Sequence, residues 1–418
     1  MKKTIAIGLS PNAEGDDVAR ALRMLFSWRS WRDDEAVERL ERRFSLLFGK
    51  GYKALAVNSG RSAQYAILKA LDIGEGDEVA NQALTCVAVT NSTLWTKAKC
   101  LFVDIDETLN MDPKDLENKI TGDTKAVIIQ HSFGTPAKVK MIKKITDKRG
   151  IKLIEDCAVS MGATLRGKKV GTLGDVAFFS FGRDKVLSSV FGGMILVRGD
   201  KLYERLKIIR DGFDEPSRFW IFQQLFHPVA FSIILPLYNF GFGKLTLGKM
   251  ILFAFQKLNL LTRAVYDKER LGAMPKYFPK KMPGALAHLA LHQLEKLEEY
   301  NNKRRQIVKV YFDRLKGIEG LHLPEKKKGA IWLRFPLITK DAGYLFECMK
   351  NKGILLGDWY KDVVVPIDSY EALGYQKGSC PIAEETSKTI VNLPTYPKMT
   401  KQDAKRVVNE IKSCLTIK

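Results

Sequence analysis

From Ala54 to Arg198 short apolar, β-branched runs alternate with stretches of helical periodicity. The runs 54–57, 78–80, 99–103, 126–129, 152–154, 176–179 and 193–197 are too short for helices. Most lack polar alternation, as strands buried on both faces do. Helical patterns over 33–48, 62–72, 87–97, 113–119 and 137–148 accompany them, which predicts an α/β protein with a mostly parallel central sheet and flanking helices. Beyond Gly284 the pattern changes. Residues 285–315 read as one long helix with solvated charges, followed by strands near 330–338 and helices near 341–352 and 400–413, a smaller α+β C-terminal domain. The expected division is a large domain over 1–213, an insertion over 214–277 and a small domain over 278–418.

The insertion has its own composition. Residues 218–263 hold five basic side chains (Arg218, Lys244, Lys249, Lys257, Arg263) and no acid, and Phe219–Gly243 runs 25 residues without a charge. Such a stretch is long enough to span a bilayer. Gln223, Gln224, His227, Pro228, Pro236 and Asn239 interrupt it, which favours a broken, amphipathic element lying in a membrane interface. The alternative is a helical hairpin buried against the rest of the protein or a second subunit.

With 418 residues, two or three domains are expected. The 45% apolar and 28% charged composition excludes a disordered tail, a collagen and a polytopic membrane protein. A balance of 68 Lys plus Arg against 47 Asp plus Glu gives +21, which favours anionic partners. Without a helix-turn-helix, zinc-finger or RNA-binding pattern, nucleic acid is not expected among them. Residues 218–283 hold ten basic residues and two acids, Asp267 and Glu269, so this segment carries +8 of the total and points to an anionic membrane surface. The six cysteines lie far apart, without disulfide-framework or metal-site spacing, which predicts reduced thiols. The first residues contain no apolar core of signal-peptide length, so the expected location is cytoplasmic, peripheral at the inner membrane face where the insertion docks. His288 and His292 stand four apart, but no third ligand is near in sequence; they read as packed or solvated, and no metal is expected. The run Lys326–Lys328 reads as a solvated loop.

Three places carry chemistry. The run 54–57 ends in Asn58-Ser59-Gly60-Arg61-Ser62 and a helix follows at once, so unpaired backbone N–H groups, a close approach at Gly60, a hydroxyl and a cation all favour an anion there. Simple helix capping is the plain alternative. The run 152–154 is followed by Glu155-Asp156, an acid at a strand's carboxyl end, where open α/β sheets bind ligands; a capping Asp has the same appearance. Finally, Phe178-Phe179-Ser180-Phe181-Gly182-Arg183-Asp184-Lys185 puts one lysine on a polar loop between apolar strands, where a lysine attacks carbonyls to form Schiff bases. Together, and in that order, the three suggest a phosphate cradle, a partner for a pyridinium nitrogen and a Schiff-base lysine for pyridoxal phosphate.

Asn58-Ser59-Gly60-Arg61-Ser62-Ala63, Gly74-Glu75-Gly76-Asp77-Glu78-Val79, Phe102-Val103-Asp104-Ile105-Asp106, His131-Ser132-Phe133-Gly134-Thr135-Pro136-Ala137, Ile154-Glu155-Asp156-Cys157-Ala158, Gly171-Thr172-Leu173-Gly174-Asp175 and Phe179-Ser180-Phe181 with Lys185 resemble the DegT/DnrJ/StrS family of sugar aminotransferases. The resemblance covers most of 25–213 and resumes more loosely from about 278 to Asn392-Leu393-Pro394-Thr395-Tyr396-Pro397. It implies fold type I, pyridoxal 5'-phosphate as cofactor, and a homodimer. It also implies roles: Lys185 as the Schiff-base lysine, Asp156 at the ring nitrogen, Ser180 on the phosphate, and Gly60, Arg61 and Ser62 as the rest of the cradle. Cys86 stands where the family often stacks an aromatic on the ring, and Val159 where a Gln or His is common. Phe191 stands where an acid commonly precedes two glycines. Phe278-Pro279-Lys280-Lys281-Met282 replaces a motif whose Asn and Arg reach across to the other subunit's phosphate. Asp358-Trp359-Tyr360 and Ser379-Cys380-Pro381 occupy positions of substrate contact.

The implied activity moves an amino group from an amino acid, glutamate, to a keto sugar, nucleotide-linked, for surface glycan synthesis. Two alternatives stand beside it. One is a pyridoxal-phosphate lyase or dehydratase, whose relatives typically replace the lysine with His. The other is a non-catalytic membrane-associated protein that retains the fold.

Overall fold

The structure is a computed structural model that describes residues 4–8, 12–238, 240–242 and 245–416. All seven predicted strands form, each within two residues of its expected ends: β1 (Tyr52–Val57), β2 (Glu78–Gln82), β3 (Lys99–Val103), β4 (Thr124–Gln130), β5 (Lys152–Asp156), β6 (Val176–Ser180) and β7 (Gly193–Arg198). They build one sheet in the order β1-β7-β6-β5-β4-β2-β3. Only β7 is antiparallel to its neighbours. The other six strands therefore end on one edge, where an open sheet of this kind binds ligands. Ser180 pairs with Gly193, which pairs with Val57, so the ends of β6 and β1 lie two strands apart across a glycine. A Cβ on Gly193 would stand 2.2 Å from the Ser59 carbonyl oxygen, so only glycine admits this approach.

Helix α1 (Gly15–Leu25), absent from the pattern-based expectation, and α2 (Asp34–Leu46) lead into the sheet; α3 (Gly60–Ala70) follows β1 and α4 (Val87–Leu94) follows Cys86. The insertion forms α5 (Arg218–Leu237) and α6 (Leu247–Lys257). The expected long helix over 285–315 is two, α7 (Gly284–Glu295) and α8 (Leu297–Leu315), interrupted at Lys296. Towards the C-terminus β8 (Arg334–Ile338) pairs antiparallel with β9 (Ile390–Pro394), beside α9 (Ala342–Asn351) and α10 (Lys401–Thr416).

Two expectations need correction. First, the apolar segment is not broken: α5 runs unbroken through Pro228 and Pro236. Tertiary packing outweighs the hydrogen bonds the prolines remove. Trp220, Ile221 and Leu225 join the main core, while Ala230, Phe231 and Ile234 form a satellite core with Leu261 and with Ile251, Leu252 and Phe255 of α6. Half of the residues of α5, a helix long and apolar enough to cross a membrane, are buried inside the protein. The outer face still exposes Phe219, Ile233, Met250, Phe253 and Leu258. Asn239 and Lys244, named above, lie outside the described residues. Second, the thiols are not all reduced: Cys348 on α9 and Cys414 on α10, 66 positions apart in sequence, form a disulfide with Cα atoms 6.2 Å apart. Spacing along the chain carries no trace of a pair that only the packing of α9 on α10 creates.

Candidate active site

β1 runs out at Val57 and α3 begins at once, capped by Ser59, whose Oγ accepts the Ser62 N–H at 3.1 Å. The Ser62 hydroxyl is spent on Asn58 Oδ1 at 2.7 Å, and the Ala63 N–H on the Ser59 carbonyl. Among the described residues the N–H groups of Gly60 and Arg61 have no acceptor, so they are the free donors of this helix terminus. Ser180, at the end of β6, closes the cradle: a Cβ on Gly60 would stand 3.0 Å from the Ser180 Cβ.

Asp156 ends β5, fully buried; Oδ1 accepts the Ala158 N–H at 2.9 Å and Oδ2 the Gln130 amide at 3.2 Å. Burial pushes its carboxyl above the ordinary carboxylate range, against the pull of the Ala158 N–H and the Lys185 charge. Lys185 has no carboxylate within ion-pair distance among the described residues. Its Nζ faces the Trp359 ring at 4.8 Å from the centroid. Arg334, buried on β8, lies against the same ring at 3.2 Å and donates to Asp184 Oδ2 at 2.7 Å. Trp359 stacks on Tyr360, 5.7 Å between centroids, and its carbonyl accepts the Asn392 amide at 2.6 Å. Cys86 caps α4, held by parallel pairing with Val365, and burial pushes its thiol up.

The structure thus gathers Gly60, Ser180, Asp156, Lys185 and Cys86 on one edge and narrows two assignments. The Arg61 guanidinium turns away to pair with Glu269 and the Ala264 carbonyl, so Arg61 offers the cradle its backbone N–H. Ser62 serves the cap. His288 and His292 pair with separate acids, Asp33 and Asp16, each at 2.8 Å. Arg334, Gln130 and Arg183 escaped the sequence reading. An arginine inside the apolar run Ile331–Ile338 was a signal that could have found the first.

These groups fit pyridoxal phosphate: two unpaired backbone donors and a hydroxyl for the phosphate, a buried carboxylate for the ring nitrogen, and an amine without an acidic partner for the carbonyl carbon. A mostly parallel sheet with one antiparallel strand and these groups on its carboxyl edge defines a pyridoxal-phosphate enzyme of fold type I.

The chain belongs to the DegT/DnrJ/EryC1/StrS aminotransferase family, whose model matches residues 12–223 and 264–412. It is a pyridoxal-phosphate-dependent transaminase. Residues 224–263 of the insertion fall outside the match. The chain is similar to the GDP-perosamine synthase of Escherichia coli O157:H7, 27% identical over 84% of this chain and 82% of that protein. An uncharacterised protein of Methanocaldococcus jannaschii is 29% identical over 87% and 86%. Among solved structures, S. venezuelae DesV in complex with a ketimine intermediate is 25% identical, with a TM-score of 0.71 and 95% and 94% coverage. Bacillus subtilis NtdA with bound PMP is 20% identical, with a TM-score of 0.77 and 100% and 86% coverage.

Proposed function

We propose that this transaminase moves an amino group from glutamate to the keto group of a nucleotide-linked sugar for surface polysaccharide. The observation that supports it is the sharing of one sheet edge by Lys185, Asp156, Ser180 and the α3 N-terminus. The likeness to GDP-perosamine synthase supports the nucleotide-linked acceptor.

Pyridoxal phosphate, when bound, supplies the electron sink for negative charge developing at the amine-bearing carbon. Asp156 holds a proton at the ring nitrogen, a cation that offsets the cost of burying its carboxylate. The N–H groups of Gly60 and Arg61 and the Ser180 hydroxyl would hold the phosphate, Ser62 keeps the cap in shape, and Cys86 would line the cofactor site. Lys185 Nζ takes the proton from the donor's α-carbon and later returns one to the sugar carbon.

In this reading the enzyme is a homodimer, and the outer face of α5 and α6 rests on an anionic membrane surface. Exposed Met250 and Phe253 beside Lys249 and Lys257 support the latter.

The test is spectroscopic. The purified protein is expected to carry the visible band of a lysine-bound pyridoxal cofactor, to lose it on adding glutamate, and to regain it with the right keto sugar. Lys185→Ala abolishes the band and the amination; a wild type that stays colourless with added cofactor refutes the enzymatic reading. For the membrane, Phe253→Glu with Met250→Glu is expected to abolish cosedimentation with anionic vesicles at unchanged absorbance. Equal sedimentation of variant and wild type counts against it.

A further inference from the structure

The basic run Lys326–Lys328 does not lie on a free loop. The Thr164 N–H donates to the Gly329 carbonyl at 2.9 Å, and a Cβ on Gly329, whose φ is +86°, would stand 2.1 Å from the Thr164 carbonyl oxygen. Only glycine therefore lets this segment seat on the hairpin that pairs Thr164–Leu165 with Lys168–Lys169. Hairpin, segment 325–328 and the start of the helix Val139–Arg149 enclose a cavity of about 720 Å³. That volume falls among pockets for small organic ligands, roughly 300–1,000 Å³. None of Gly60, Asp156, Ser180, Lys185 and Trp359 lines it.

The walls carry one sign of charge. Lys140, Arg166, Lys168, Lys326, Lys327 and Lys328 line the cavity, and among the described residues none of the six is paired with an acid. Two further lining lysines differ: Lys138 holds Asp106 and Glu107, and Lys143 holds Asp147 and Asp175. Glu325 is the one acid among the lining residues. Lys327 is half-buried, and burial brings its ammonium below the ordinary lysine range although Glu325, Asp106 and Glu107 pull the other way. Like charges gathered in a cleft repel one another and focus their field on an anion that enters it.

The rest of the lining is apolar. Ala137, Val139, Leu165 and Leu173 contribute to it, and Met141 adds an exposed thioether. A single phosphate group, with roughly two negative charges at pH 7, would meet few of the cations and leave the apolar lining wet. A chain of phosphates on an apolar, planar body uses both surfaces.

We infer that this cavity binds a nucleoside di- or triphosphate, with the phosphates against the lysines of the hairpin and of the segment 325–328 and the base on the apolar lining, at a site separate from Lys185.

Equilibrium binding of ATP, tripolyphosphate and adenosine to the holoenzyme tests it. The wild type is expected to bind ATP roughly tenfold more tightly than tripolyphosphate, because apolar burial adds to charge, and to bind adenosine weakly. Lys168→Glu with Lys328→Glu, one exposed position on the hairpin and one on the facing run, is expected to lower ATP affinity roughly a hundredfold, with the single-turnover rate for glutamate unchanged. Met141→Ser is expected to weaken ATP but not tripolyphosphate. Absence of ATP binding in the wild type, or equal ATP affinity in the double variant, overturns the inference. Equal affinity for ATP and tripolyphosphate in the wild type overturns it as well, since the cavity would then be a general anion site. Should the double variant fail to fold, the same comparison in Met141→Ser decides.

Discussion

Lys185 faces Trp359 across 4.8 Å, amine to ring centroid, and no acid competes for that amine among the described residues. The indole also carries the buried Arg334 against it, so one ring meets two cations that share no carboxylate. The ring face thus holds the amine near the site without an ion pair that would have to be broken for it to react.

Trp359→Leu should therefore slow the enzyme. Without the ring Nζ is less well oriented for proton transfer, so the single-turnover rate with glutamate is expected to fall roughly tenfold or more. Trp359→Phe should keep most of the rate. A leucine variant as fast as wild type would show that the ring only fills space.

Gly193→Ala tests the strand-end geometry. The new Cβ would meet the Ser59 carbonyl at 2.2 Å and push the cap of α3 away from Ser180. A loss of about 3 kcal/mol in denaturant unfolding is expected, together with weakened retention of the cofactor. Unchanged unfolding and retention would contradict the approach of β7 to the cradle.

Acid stability should report Asp16. Burial opposes its charge, but hydrogen bonds from Lys296 and His292 prevail and bring the carboxyl from 3.8 down to about 2. A folded-state value below the unfolded one means the contribution is complete above 3.8 and is lost as the pH falls towards 2. Asp16→Asn is expected to flatten the pH dependence of stability across that window and to leave it unaltered near neutrality. An identical acid-unfolding curve in the variant would rule this out.

Reduction should loosen the packing of α9 on α10. Closing a loop of 66 residues lowers unfolded-state entropy by about 4 kcal/mol at most. Cys348→Ala with Cys414→Ala is expected to lower the unfolding temperature, and reductant to lower that of the wild type but not of the variant. A wild type indifferent to reductant would argue against the bridge.

The chain pattern alone determined the seven strands, because strands buried on both faces must be short apolar runs, and such runs are visible without any contact being known. It also singled out Gly60, Asp156 and Lys185 as candidates, since each sits where a strand gives way to a turn and polar chemistry follows an apolar run, while Ser180 was marked by the family resemblance. Other features were decided only by the tertiary structure. The β7 reversal, the Cys348–Cys414 bridge and the break at Lys296 depend on partners far away in sequence. Prolines 228 and 236 announced a broken segment, yet packing on α1 and α6 keeps α5 whole. The direction of Arg61, legible as a cation beside a phosphate turn, was set by Glu269, 208 positions on. Local pattern records what a residue buries; which charge it meets is written only in the folded chain.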